Sequence, residues 1–179
     1  MKTQLMAGLI TLASAVSSHA ALVNPGFEDG VNEWSLASVN SVVSKSLGNF
    51  AASEGQYFLN MAGDDVLTRS FYGSDNGRFN FDFAITNAQG VAASGEVGVF
   101  VGGQQLSSFT FSGNGWKSVS WLLPTNFNDD VEIRLINPTG QQRLLIDNAN
   151  VAPVPEPETY ALMGLGLVGL LAARRRRTK

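Results

Sequence analysis

The chain has 179 residues, 44% of them apolar and 15% charged, with no cysteine, one histidine and a formal charge of -3. The lack of cysteine excludes disulfides, thiol nucleophiles and cysteine-ligated zinc, and because His19 lies in a segment read below as cleaved, a Ser-His-Asp triad and a standard zinc or copper site are excluded too. The charge is unevenly spread: Lys2 gives residues 1–20 a charge of +1, six basic against 13 acidic residues leave 21–154 at -7, and five against two bring 155–179 to +3. Carboxylate or lysine chemistry, oxygen-ligated calcium, or binding without chemistry remain. Nucleic acid is not an expected partner, because the six basic residues of the middle piece are scattered rather than clustered.

Residues 1–20 start with Met1-Lys2, run through apolar Leu5 to Ala13 and end Ser18-His19-Ala20 before Ala21. A basic start, a short apolar stretch and small residues at the end are the parts of a secretory signal helix cut between Ala20 and Ala21 by signal peptidase. The competing reading is a buried N-terminal helix.

Residues 21–152 are long enough for one domain with a sizeable core. Alternation dominates there and no helical period stands out. Phe79, Phe81, Phe83 and Ile85 alternate with Arg78, Asn80, Asp82 and Ala84, which puts four large apolar groups on one strand face and leaves Asp82 on the other. The same period recurs at Val97, Val99 and Val101, at Phe109 and Phe111, at Val119 and Trp121, and at Val131, Ile133 and Leu135. Turn signals at Gly102-Gly103, Gly113-Asn114-Gly115 and Asn128-Asp129-Asp130 separate these runs, and Gly95 and Gly98 suggest a bulge or close packing. The expected class is all-β, a single sandwich or jelly roll.

Candidate glycan contacts are the aromatic residues Trp34, Tyr72 and Trp116, since sugar rings stack C–H groups on π faces. Trp34 and Trp116 are weighed against core packing, Trp121 is read as core by its period, and Tyr72 beside Gly73 to Gly77 is read as the most exposed. Two acids without histidine suffice for a glycosidase. Asp64-Asp65 and Asp129-Asp130, however, are read as solvated turn residues pointing in different directions. No catalytic residue is assigned.

The opening Leu22-Val23-Asn24-Pro25-Gly26-Phe27-Glu28 with Trp34-Ser35, the run Gly55-Gln56-Tyr57-Phe58-Leu59, comparable to a Gly-x-x-x-Leu strand, and the closing Leu145-Ile146-Asp147-Asn148-Ala149-Asn150-Val151 together resemble the galactose-binding-like jelly rolls. Many non-catalytic carbohydrate-binding modules share that fold. The resemblance implies that the first and last strands are neighbours. It also implies a structural calcium between Glu28 and Asp147, completed by carbonyls, against the alternative that Glu28 caps a turn and Asp147 bonds the N-terminal backbone.

Residues 153–179 begin with a proline-rich linker, after which the uncharged Tyr160 to Ala173 would give about 21 Å of helix against a hydrocarbon core of roughly 30 Å. Arg174, Arg175, Arg176 and Arg177 follow as a stop-transfer cluster, and snorkelling with Tyr160 at the opposite interface narrows the mismatch. Gly164, Gly166 and Gly169 lack the spacing of a helix-dimer face. The tripeptide Pro155-Glu156-Pro157, a short glycine-bearing apolar helix and an arginine cluster, in that order, resemble the PEP-CTERM sorting domain of Gram-negative bacteria. That resemblance implies an inner-membrane intermediate, processing by an exosortase, and delivery to the cell surface or extracellular matrix. A plain membrane anchor is the alternative. The expected product is an exported, non-catalytic surface protein binding exopolysaccharide, with a purely structural protein and a carboxylate-dependent glycan hydrolase as rivals.

Overall fold

The computed structural model describes residues 24–71, 77–123 and 128–153, together with Leu165. The signal segment with Ala20 and Ala21, Tyr72, and the tail with Pro155, Glu156, Pro157 and Arg174 to Arg177 lie outside the described residues. Among the described residues no helix is long and apolar enough to cross a membrane.

The strands are β1 (Ser35–Leu36), β2 (Val42–Ser44), β3 (Ser46–Leu47), β4 (Phe50–Ala51), β5 (Phe58–Ala62), β6 (Leu67–Phe71), β7 (Gly77–Thr86), β8 (Gly95–Val101), β9 (Gln104–Phe111), β10 (Lys117–Leu122), β11 (Asp129–Leu135) and β12 (Arg143–Pro153). Two five-stranded antiparallel sheets form a sandwich, ordered β1-β6-β11-β8-β9 and β10-β7-β12-β5-β2, with β3-β4 as a separate hairpin. The fold is the all-β jelly roll expected. Alternation explains the layering: Phe79, Phe81, Phe83 and Ile85 of β7 are buried, and rings cross to the other sheet at Phe81–Phe109 (6.1 Å), Phe83–Phe111 (5.8 Å) and Phe71–Phe79 (5.5 Å). Each such side chain contributes about 1.5–3 kcal/mol of burial.

Strand β5 breaks the two-sided pattern, for all five of its residues are buried. Leu59 and Met61 face the sandwich, while Phe58 packs outward, edge to face, against Trp116 at 5.6 Å, and Trp116 meets Phe50 of β4 at 6.2 Å. The hairpin therefore closes the outer face over β5 and the neighbouring part of β12, where Leu145 is also buried. Two local expectations change. Gly55 to Tyr57 is a loop, because the Glu28 carboxylate takes the backbone N–H groups of Gln56 and Tyr57 that a ladder would need. Asp129 and Asp130 open β11 instead of making a turn, paired with Phe71 and Ser70. The expected irregularity near Gly98 is present: the register shifts between Val99 and Phe100, and the Phe100 ring folds over Gly98.

Backbone meets backbone where the hairpin crosses the turn after β7. A Cβ on Gly90 would stand 2.4 Å from the Leu47 carbonyl oxygen and 2.5 Å from the Gly48 nitrogen, and its φ is +75°. Gly102 also has positive φ, +55°, but nothing stands within 4 Å of its Cβ position. Gly90→Ala should therefore cost roughly 2–3 kcal/mol in urea unfolding, and Gly102→Ala only about 1 kcal/mol, the conformational share alone. Equal losses would show that the crossing can spread at little cost.

Candidate functional site

Polar alternation on β7 determines what the uncovered part of the second sheet presents. Rows run across the outer face: Ser118, Asp82 and Asp147 in one, then Ser120, Asn80 and Asn150. Between Asp147 and Asn150 the register slips by one residue, and Asn148 takes φ of +48°, a conformation Asn tolerates. The bulge keeps Ala149 buried and Asn150 outward. It also lets the Ala149 N–H donate to the Pro25 carbonyl at 2.8 Å, tying the opening segment to β12.

Asp147 is fully buried in this face. Its Oδ2 accepts from the N–H groups of Ser53 (2.7 Å) and Glu54 (3.1 Å) and from the Ser53 hydroxyl (3.1 Å), and its Oδ1 accepts from the Asn148 N–H (2.8 Å). Glu28 Oε1 accepts from Gln56 N–H at 2.7 Å and Tyr57 N–H at 2.9 Å. The two acids flank one glycine: the Cβ position of Gly26 lies 3.5 Å from Asp147 Oδ1 and 4.0 Å from Glu28 Oε1. They stand together, as the calcium expectation requires, and both bond backbone, although Asp147 takes that of Ser53, Glu54 and Asn148 rather than the N-terminal backbone of the alternative.

Beyond them the face is open. Asp82 Oδ1 accepts from Ser118 Oγ at 2.5 Å and its Oδ2 from Ser53 Oγ at 2.8 Å. Asn80 Nδ2 donates to Asn150 Oδ1 at 3.1 Å, and Arg78 Nη1 reaches Ser120 Oγ at 3.4 Å. This stripe of guanidinium, amide, hydroxyl and carboxylate groups offers both donors and acceptors at the surface, the chemistry that sugar hydroxyls need. Arg78, Asn80, Ser120 and Asn150 carry no contact motif, although Asn150 belongs to the closing run. The first three are marked in sequence only by alternating with core residues.

The predicted aromatic contacts are placed differently from one another. Trp34 is only 8% exposed, its indole N–H donates to the Asn24 carbonyl at 3.1 Å, Phe27 lies 5.4 Å away and the Arg69 guanidinium stacks on it at 5.1 Å. Enclosed in this way, it offers no stacking platform. Trp116 is half-buried two residues before Ser118, with its indole N–H donating to the Ala51 carbonyl at 2.8 Å. Trp121 packs against the core, as its period implies. Among the acidic pairs, Asp64 is exposed, whereas Asp65 is buried, contrary to the solvated reading, because its carboxylate accepts from the Ser41 hydroxyl and the Val66 N–H.

Residues 153–177 match the PEP-CTERM protein-sorting motif family, a motif that marks an exported protein sorted through the membrane. Comparison with curated proteins gives no match. Similar solved structures include TmCBM61 in complex with β-1,4-galactotriose, at 19% identity, covering 74% of this chain and 97% of that one with a TM-score of 0.54. A cleaved adhesin domain of Lys-gingipain from Porphyromonas gingivalis is similar at 14% identity, covering 73% and 96%, with a TM-score of 0.59. The C-terminal family 22 carbohydrate-binding module of a Clostridium thermocellum protein is similar at 16% identity, covering 72% and 91%, with a TM-score of 0.51. The chain thus joins a PEP-CTERM sorting motif to a fold shared with jelly-roll carbohydrate-binding modules.

Burial raises the Asp147 carboxyl pKa above its ordinary value, opposed by the hydrogen bonds from Glu54, Asn148 and Ser53. The folded chain then holds that proton more tightly than the unfolded chain, so the stabilisation is full below the ordinary carboxylate range and declines as pH rises through the raised value. Measured by urea unfolding in chelator, the stability of the wild type relative to Asp147→Asn should fall as pH rises through this window. A difference that grows with pH would mean that the hydrogen bonds outweigh burial.

Proposed function

We propose that the exported chain is a non-catalytic glycan-binding component of the cell surface or extracellular matrix, released from an inner-membrane intermediate by exosortase, with exopolysaccharide as its ligand. The observation that carries this reading is the open stripe of Arg78, Asn80, Asp82, Ser118, Ser120 and Asn150 beside half-buried Trp116. The similarity to modules solved with a galactotriose or studied for ligand binding supports it at the level of fold. A hydrolase reading draws less support. Asp82 and Asp147 share the Ser53 hydroxyl, yet Asp147 is sealed from substrate with both oxygens occupied, so this pair lacks the second working acid of a glycosidase.

Retention of the full-length chain on immobilised polysaccharides, β-1,4-galactan and xylan included, tests the proposal. Arg78→Ala and Asn150→Ala should each weaken retention by roughly tenfold, the scale of one or two lost hydrogen bonds, with little change in Tm. No retention of the wild type on any glycan would favour the purely structural surface protein. Release of new reducing ends would favour the enzyme.

Glu28 and Asp147 are the residues that would hold a structural calcium. They fit a hard cation: two carboxylates converge on Gly26, no Lys or Arg forms a hydrogen bond or ion pair with either among the described residues, and Glu28 Oε2 makes no hydrogen bond there. Bound calcium would neutralise the buried charge and fasten the opening segment to β12. Glu28→Gln separates the two roles, since an amide oxygen still accepts from Gln56 and Tyr57 but carries no charge. Calcium should raise the Tm of the wild type by several degrees and leave that of Glu28→Gln nearly unmoved. An unmoved wild type would limit both acids to backbone capping.

A further inference from the structure

At one end of the sandwich the turn after β5, the turn after β7 and the loop before β12 border a cleft of about 590 Å³. That size suits a small ligand. Asn40, Asp64, Ala88, Pro138, Gln141 and Arg143 line it.

Arg143 is the first residue of β12, and the fold holds its guanidinium on one side only. Nε donates to Asn60 Oδ1, and Nη2 donates to the carbonyls of Asn40 (3.0 Å) and Asn60 (3.1 Å). Nη1, with two N–H groups, has no acceptor among the described residues, and no carboxylate there lies within ion-pair distance. Burial draws this guanidinium below the usual arginine value, with no neighbouring carboxylate opposing the effect. A half-buried cation with its plane fixed and two donors left over is suited to an anion.

The rest of the lining narrows the choice. Asp64 and Gln141 are exposed at the same cleft, so a bare phosphate or sulfate would meet a carboxylate. A neutral sugar's hydroxyls could accept from Nη1 but would leave the guanidinium charge unpaired. A ligand bearing one carboxylate and several hydroxyls satisfies the whole set, with the carboxylate on Arg143 and the hydroxyls on Asp64, Gln141 and Asn40. The charge of -7 over residues 21–154 disfavours a long polyanion lying across the domain, but not one acidic unit at a chain end.

We propose that this cleft is a second binding site, taking the terminal uronate residue of an acidic polysaccharide through Arg143 and Asp64. The proposal rests on the glycan reading above only for its choice of a sugar as the carrier of the carboxylate.

The test is titration of the full-length chain, followed by NMR, with methyl β-D-glucuronide and methyl α-D-galacturonide, each beside its neutral glycoside. At least one uronide should bind about tenfold more tightly than its neutral twin, the scale of an added charge-assisted hydrogen-bond pair. Arg143→Gln should erase that preference. Gln141→Trp, which fills the mouth from an exposed position and leaves the Asn60 bonds in place, should abolish binding and decides the matter if Arg143→Gln does not fold. Shifts at Asp64 and Gln141 read the cleft and shifts at Asn80 and Asn150 read the sheet face, so failure of the sheet-face reading and failure of this one are separable. Absence of uronide binding, equal affinity for the neutral twins, or a preference surviving in folded Arg143→Gln would overturn the proposal. So would tighter binding of an N-acetylated tripeptide through its free C-terminal carboxylate.

Discussion

Burying a carboxylate without a cation beside it is costly unless its oxygens are supplied with donors, and the jelly roll is arranged around one such case. Asp147 sits in the middle of β12, the strand that joins β7 to β5, and receives four hydrogen bonds, three of them from the segment that crosses over the sheet at Ser53 and Glu54. Those bonds hold the crossing segment on the outer face. Wherever it lies, apolar outer residues such as Leu145 and Phe58 can be buried; where it stops, the face must be polar. The boundary between closed and open surface is thus set by one side chain and the backbone it gathers.

The same arrangement explains why much of the fold could be read from residues and some of the sites could not. Alternation reports a strand with one dry face; the first part of β7 and β9 to β11 satisfy that condition, and in β8 the valines still recur at every second position, so the phenylalanines and valines of these strands were legible. Strand β5 is dry on both faces because a distant hairpin covers it, and nothing local in Phe58 to Ala62 announces that cover. The pairing of Glu28 with Asp147 came from the resemblance of the opening and closing motifs, and the structure does bring them around Gly26. What the motifs did not disclose was the use of both acids for backbone N–H groups across the intervening loop. Trp34 is weighed in sequence between glycan contact and core packing, and the loop from Asn24 folds back and encloses it. The end cleft was invisible for a similar reason. Its parts come from residues 40, 64, 88 and 138–143, which share no motif and meet only through topology.

Carboxylates in this domain serve architecture before chemistry. Asp65 gathers the Ser41 hydroxyl and the Val66 amide, Glu28 the amides of Gln56 and Tyr57, and Asp147 those of Ser53, Glu54 and Asn148. In a chain without cysteine, these acids staple loops to strands as disulfides do in other exported domains. An acid committed in this way has a fixed orientation and a shielded charge. A general acid or nucleophile needs instead an oxygen free to face the substrate.

The cations tell the complementary story. Arg69 stacks on Trp34 and contacts Glu33, Arg134 lies 3.9 Å from the centre of the Phe100 ring, Lys45 lies 4.9 Å from that of Tyr57, and Lys117 donates to the Thr110 carbonyl. Rings and carbonyls occupy these four, which lowers their value to a ligand because each would have to give up an existing partner. Arg78 and Arg143 differ. The first makes one long hydrogen bond to Ser120 on the open sheet face, and the second keeps one side of its guanidinium in the end cleft. A domain with a charge of -7 has few cations to place, and among the described residues these two are not held by rings or paired with acids. They stand at the two surfaces where polar groups converge, so any oxygen-rich ligand drawn to this molecule finds its strongest donors there.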